Sequence, residues 1–167
     1  MHEVLVGLGA NLGNPPAVFA AAVDGFAATG EIRSVSRLWR TRPLGPDQPN
    51  FSNAAVIVSW PGTPLELLQR CHELEAAAGR DRATEIRWGP RVLDLDLLMV
   101  RDLIWRSAAL ELPHPHFHKR AFALVPAAEL VPGWIHPTVG RSIGELAEDA
   151  QSADLGALIS CSPFTAE

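Results

Sequence analysis

VLDLDLLMV, residues 92–100, decides how the rest of this chain is read. Its short run of aliphatic residues predicts a central β-strand. Side chains alternate across a strand, so Leu93, Leu95 and Leu97 are expected in a core while Asp94 and Asp96 share the opposite face. Two neighbouring carboxylates repel each other, which raises one pKa unless a cation or an arginine stands beside them. Magnesium suits such a pair, because it commonly takes one or two carboxylates and completes its octahedron with water and substrate phosphates. The other reading is the solvated polar face of an amphipathic strand, and the motif alone leaves both open.

The residues just upstream, GRDRATEIRWGPR (79–91), set Arg80, Arg82, Arg87 and Arg91 around Trp88. Guanidiniums beside an acidic pair fit a polyphosphate, which they meet by charge-assisted, often bidentate hydrogen bonds. The alternative is a solvated loop whose arginines pair with Asp81 and Glu85. One lysine, Lys119, stands against thirteen arginines, so a lysine-centred phosphate site is not expected. No GxxxxGK[ST] loop occurs either, which excludes a Walker-type site. GLGANLG (7–13) narrowly misses the dinucleotide fingerprint, since Leu12 stands where the last glycine is required. It reads as a tight strand-to-helix turn, with direct cofactor binding as the lesser alternative.

Outward from this region the chain divides cleanly. Residues 3–10 predict a buried strand, and Asn14 caps a helix starting at Pro15 with Phe19, Ala22, Val23 and Phe26 on one side. Residues 31–40 alternate with period two, 51–60 are a further strand, and TRPLGPDQPN (41–50) is a proline-rich loop between them. Thr63 and Glu66 form a capping box for a second helix that carries Leu67, Cys71, Leu74 and Ala78 and stops at Gly79. Shorter helices are expected around 118–130 and 142–150. The order strand, helix, strand, strand, helix, strand predicts an α+β fold: a ferredoxin-like α/β sandwich, with helices packed on a mostly antiparallel sheet. One domain spanning 1–167 is expected, its tail after about residue 150 without an assigned role.

A 47% hydrophobic composition supports one sizeable core, and a net charge of −5 with a pI near 5.7 gives no global footprint for nucleic acid. A ferredoxin-like RNA-binding module is further disfavoured by the absence of an aromatic RNP pattern and of any tyrosine. Cys71 and Cys161 have neither metal-ligand nor disulfide spacing, so both read as reduced thiols. The apolar start is too short for a signal segment, and no stretch nears the roughly 18 apolar residues of a membrane span. A soluble, cytoplasmic monomer with no membrane or nucleic-acid partner is the expectation. HPHFH (114–118) could suggest a transition-metal site, but three histidines with no fourth ligand make a poor closed zinc site, and His116 and His118 are expected at the surface.

With these pieces in order the chain resembles the hydroxymethyldihydropterin pyrophosphokinase family. The most specific match is RWGPRVLDLDLL (87–98), supported in order by GANLGN (9–14), TRPLGPDQPNFSNA (41–54) and LPHPHFHKRAFALVPAAEL (112–130). The resemblance implies transfer of the β,γ-pyrophosphoryl group of ATP to 6-hydroxymethyl-7,8-dihydropterin, with release of AMP, in folate biosynthesis. It implies Asp94 and Asp96 as ligands of two Mg ions, and Arg80 and Arg91 as catalytic arginines. Glu75, Arg82, Trp88, His114 and Arg120, together with Arg91, fall on positions around ATP. Thr41, Arg42 and Leu44 match backbone contacts to the pterin, Asn53 a side-chain partner, and Phe51 and Phe122 the two aromatics that sandwich the ring. Each phenylalanine alone reads equally as ordinary core. Arg42 departs from a common proline, Ala10 from serine, His72 from a glutamine of some relatives and Pro115 from an aromatic. The arginine loop is one residue longer between Arg82 and Trp88, which leaves Arg87 without a role, and His72 is not assigned to ATP. A different Mg-dependent nucleotide enzyme, such as a nucleotidyltransferase, is the nearest rival.

Overall fold

The structure, a computed structural model, describes residues 1–164. The last three residues of the predicted 1–167 unit lie outside the described residues. β1 (His2–Ala10) leads into α1 (Pro15–Ala27), β2 (Glu31–Val35), β3 (Leu38–Thr41), β4 (Phe51–Trp60) and α2 (Pro64–Ala77). β5 (Asp94–Val100), a small hairpin of β6 (Trp105–Arg106) and β7 (Glu111–Leu112), α3 (Ala121–Leu130), α4 (Ile143–Ala153) and β8 (Leu158–Ser162) complete it. The main sheet runs β5-β1-β4-β3-β8, with β2 pairing the far half of β4, and its ladders are antiparallel. The expected ferredoxin-like sandwich is present.

Local sequence explains both leading helices. Asn14 accepts from Ala17 N at α1, and Thr63 with Glu66 forms the full capping box at α2. Gly79, at φ +95°, lets the chain leave α2 in the left-handed region. Alternation along the strands then splits the apolar residues between two layers. Val4, Val6, Leu8, Val56, Val58, Leu93, Leu95 and Leu97 face α1 and α2 through Phe19, Phe26, Leu67 and Cys71. Leu5, Ala55, Ile57, Leu98 and Met99 face α3 and α4 through Leu124, Ala127, Ile143 and Leu146.

Three expectations change. The strand at 92–100 is not central: β5 is at one end of the sheet order. Its composition reads as central because both faces are buried, while the following segment covers its outer edge, His114 N donating to Leu98 O at 2.8 Å. The single strand at 31–40 is two, because Ser36, 2% exposed, turns its hydroxyl into the ladder. Its Oγ accepts from Ala55 N at 2.8 Å and donates to Arg37 O at 2.7 Å, displacing the regular pairing. The tail forms β8, an added strand on β3. No helix among the described residues is long and apolar enough to cross a membrane.

Candidate active site

Asp94 and Asp96 stand on one face of β5, as their alternation requires, opposite Gly9 and Gly7 of β1. Both glycines fall inside the strand predicted over 3–10, and their lack of side chains keeps the floor before the carboxylates open. A Cβ on Gly9 would come within 3.1 Å of Asn53 Oδ1, and one on Gly7 within 3.2 Å of Leu98 Cδ1. The legible signal was there: glycines spaced by two in a strand mark a side of the sheet that something must approach closely.

Two cavities meet at this pair. The first, about 350 Å3, is walled by Thr41, Arg42, Leu44, Phe51, Asn53 and Phe122, and it also takes in Trp88, Arg91 and Arg120. The second, about 500 Å3, is bordered by His72, Arg80, Arg82, Ser107, Leu110 and Pro115. Asp94, Asp96 and His114 line both. All six residues expected around the pterin therefore share one cavity. Those expected around ATP do not: Arg82 faces the second cavity, whereas Trp88, Arg91 and Arg120 line the first. Glu75 borders neither and is 1% exposed beneath the arginine loop.

The arginines are not free. Arg80, its side chain 7% exposed, forms ion pairs with Glu75, with Glu85 and, at 2.9 Å, with Asp94 Oδ1. Glu85 is held below the usual carboxylate range chiefly by the Arg80 hydrogen bond. Arg82 reaches Glu75 at 3.0 Å while remaining 55% exposed. Arg91 Nη1 donates to the carbonyls of Ile86, Gly89 and Pro90 at 3.0–3.2 Å. The guanidiniums of Arg87 and Arg120 lie over the Trp88 ring at 5.6 and 5.5 Å.

Trp88 adopts φ +61°, a conformation bulky residues seldom take. The proline-rich loop holds it there. Gln48 Nε2 donates to Trp88 O at 2.6 Å, and Gly45 packs so closely that a Cβ would come within 2.6 Å of Trp88 Cβ. Asn11, 8% exposed, ties both loops to the end of β1. Its Nδ2 donates to Gln48 Oε1 at 3.0 Å and to Pro49 O at 2.8 Å, and its Oδ1 accepts from Arg91 N at 2.8 Å. Sequence reasoning assigned Asn11 no role, since nothing in GANLGN reveals contacts with partners 37 to 80 residues away.

Burial sets the protonation states at the junction. Scarce water, and then the charge of Asp94, push the Asp96 carboxyl up to about 7. His114 goes the other way, down to about 4, because of burial and the adjacent Arg120. Its Nδ1 accepts from His116 N at 3.1 Å, so the neutral ring carries its proton on Nε2. His116 is exposed and borders the first cavity, whereas His118 is half-buried edge-on against His136 at 5.5 Å. No group of three or more His, Cys, Asp or Glu side chains among the described residues could hold a metal by itself. Two carboxylates beside two open cavities fit a hard cation that takes its other ligands from water and phosphate. Cys71 is walled into the core, its thiol pushed up to about 12 by burial, and Cys161 is exposed; both are free.

Comparison with known proteins adds an independent finding. The family model for 7,8-dihydro-6-hydroxymethylpterin-pyrophosphokinase (HPPK) matches residues 5–132. The 2-amino-4-hydroxy-6-hydroxymethyldihydropteridine pyrophosphokinase of Methylorubrum extorquens is 46% identical over 135 residues, 79% of this chain and 84% of that protein. The protein of the same name from Pseudomonas aeruginosa is 40% identical over 149 residues, 87% of this chain and 90% of its own length. Among solved structures, a wild-type Plasmodium falciparum HPPK-DHPS chain superposes with a TM-score of 0.69 at 13% identity, covering 90% of this chain. This chain spans 45% of that longer one, and the likeness concerns the fold alone. By sequence, then, this chain belongs to the 7,8-dihydro-6-hydroxymethylpterin-pyrophosphokinase family.

Proposed function

We propose that this chain transfers pyrophosphate from ATP to 6-hydroxymethyl-7,8-dihydropterin in folate biosynthesis, using Mg2+. The observation that carries the reading is the meeting of two cavities at Asp94, Asp96 and His114. A reaction that joins two bound substrates needs such a junction, where an acceptor oxygen from one side can face a phosphorus atom on the other. The pterin hydroxyl oxygen forms a bond to the β-phosphorus and loses its proton, the bond between that phosphorus and the α,β-bridging oxygen breaks, and AMP leaves.

In this reading the first cavity takes the pterin. Phe51 and Phe122 offer ring faces to a flat heterocycle, and Asn53, its Nδ2 donating to Thr41 Oγ1 at 2.6 Å, offers a fixed amide to the edge. Thr41, Arg42 and Leu44 supply the adjoining wall. The second cavity takes ATP, with Arg82 exposed at its rim and neutral His114 keeping an Nε2 proton for a phosphate oxygen. Arg80 acts by holding Asp94, and Glu75 by holding Arg80 and Arg82. Trp88, Arg91 and Arg120 serve the phosphates once the arginine loop shifts; Arg91 must first release the carbonyls of its own loop.

Asp94 and Asp96 would hold the magnesium, two ions by analogy with the family, which when bound would supply neutralisation of phosphate charge. Catalysis is then mainly positioning and electrostatics, with no strong general base required.

The test is incubation with ATP, Mg2+ and the hydroxymethyl pterin. AMP and pterin diphosphate are expected in equal amounts, and formation of ADP or free pyrophosphate instead refutes the proposal. Asp94→Ala and Asp96→Ala abolish turnover if the metal assignment holds; near-normal activity in either removes it.

A further inference from the structure

Residues 154–164 lie beyond the segment the family model matches, yet they bear on the first cavity. Leu158 packs against the layer of α3 and α4, while Phe164 stacks on Phe19 of α1 in the opposite layer, ring centroids 6.3 Å apart and 8° from parallel. Between them β8 pairs with β3 from Leu38↔Ser162 to Thr41↔Leu158. The segment thus passes around the edge of the sheet and is fixed on both faces.

Its upstream end grips the cavity wall. Arg42 N donates to Ala157 O at 3.0 Å, and Arg42 Nη2 pairs with Asp154 Oδ1 at 2.8 Å. Gly156 N donates to the same carboxylate oxygen at 3.2 Å, and a Cβ on Gly156 would reach within 2.5 Å of Arg42 Nη2. Lack of a side chain at 156 is what lets the guanidinium lie against the segment. Arg42 directly follows Thr41, whose hydroxyl accepts from Asn53 in that cavity. The segment itself lines neither cavity; it reaches the first through Arg42, which borders that cavity and not the second.

We propose that residues 154–164 form a strap that positions the Thr41–Leu44 wall of the pterin cavity, with Asp154 as its positioning residue. The C-terminal segment thereby sets affinity for the pterin and leaves affinity for ATP alone. Arg42, which joins the segment by both its backbone N–H and its guanidinium, is the residue that makes the coupling available. This inference rests on the assignment of the first cavity to the pterin.

Steady-state kinetics on the full chain separate the two substrates. Asp154→Ala is expected to raise KM for the pterin about two- to fivefold, the range an exposed ion pair supports, with KM for ATP unchanged. Asp154→Glu keeps the carboxylate and stays near wild type. Ending the chain after Ala153 raises the pterin KM further than Asp154→Ala; should that shortened chain fail to fold, the point variant decides alone. An unchanged pterin KM in Asp154→Ala, a parallel rise in both KM values, or a change only in melting temperature overturns the proposal. If the wild-type chain releases no AMP with this pterin, the functional reading fails instead.

Discussion

Replacing Arg80 by methionine tests whether the arginine loop is anchored as the structure shows. Arg80 is 7% exposed at its side chain and is shared by Glu75 at 1%, Glu85 at 18% and Asp94 at 38%. Methionine fills most of the volume and removes the charge, which leaves Glu75 buried with only the exposed Arg82 as partner. Breaking a buried ion pair from one side costs about 3–5 kcal/mol, and the residual Arg82 contact favours the lower end. For a chain of this size about 3 kcal/mol corresponds to a fall of about 10 °C in melting temperature. Thermal and urea unfolding of the metal-free protein, followed by tryptophan fluorescence and circular dichroism, measure it. Arg82→Met, at a 55% exposed side chain, is the contrast and should cost under about 1 kcal/mol. Adding Glu75→Met to Arg80→Met should recover much of the loss, because the stranded charge goes with it. An Arg80→Met protein melting within about 2 °C of wild type would refute the reasoning, since no buried carboxylate could then depend on that guanidinium.

Four further outcomes follow from the same site. Gly9→Ala puts a methyl 3.1 Å from Asn53 Oδ1 and 3.9 Å from Phe51 Cδ1, and should raise the pterin KM about tenfold, leaving circular dichroism and ATP affinity unchanged in titration calorimetry. Asp96 in the metal-free protein holds its proton up to about 7, whereas the unfolded chain releases it near 3.8, so stability falls as pH rises between those values. Asp96→Asn should therefore melt higher than wild type at pH 8 in chelator, and the difference should vanish toward pH 4. By the same sign, Mg2+ affinity in calorimetry should weaken below about pH 7, where the cation must displace that proton. Asn11→Ala removes three part-buried hydrogen bonds to two loops, and hydrogen exchange should quicken in residues 42–50 and 80–91 together, with about 1–3 kcal/mol of stability lost.

The anchoring of the arginines shows how a loop rich in charge can be both prepared and restrained. Arg80 gives up its mobility to hold Asp94, while Arg91 and Trp88 are engaged by carbonyls and by the proline-rich loop. Under the proposed function, ATP phosphates replace the loop carbonyls at Arg91 while Arg80 keeps Asp94, an exchange that charge-assisted hydrogen bonding favours. Gln48, Gly45 and Asn11 join the two loops, so in that reading a shift of the arginine loop bears on the wall of the first cavity.

What the amino-acid sequence determined by itself was whatever short-range periodicity encodes. Alternation in LDLDL put the two aspartates on one side of β5 and the leucines in the core, and the capping residues Asn14, Thr63 and Glu66 started their helices where expected. The six residues that family resemblance assigns to the pterin are gathered by the fold into one cavity. Tertiary structure decided the remainder, because it depends on contacts between residues distant along the chain. Only the register of β1 on β5 shows that Gly7 and Gly9 clear the floor before the carboxylates. Only the burial of Glu75 shows that Arg80 is held from beneath, and only the return of β8 to β3 gives the tail a task at Arg42. Hydrophobic patterning records which face of an element meets the core, but not which distant backbone carbonyl, carboxylate or strand edge will be waiting there.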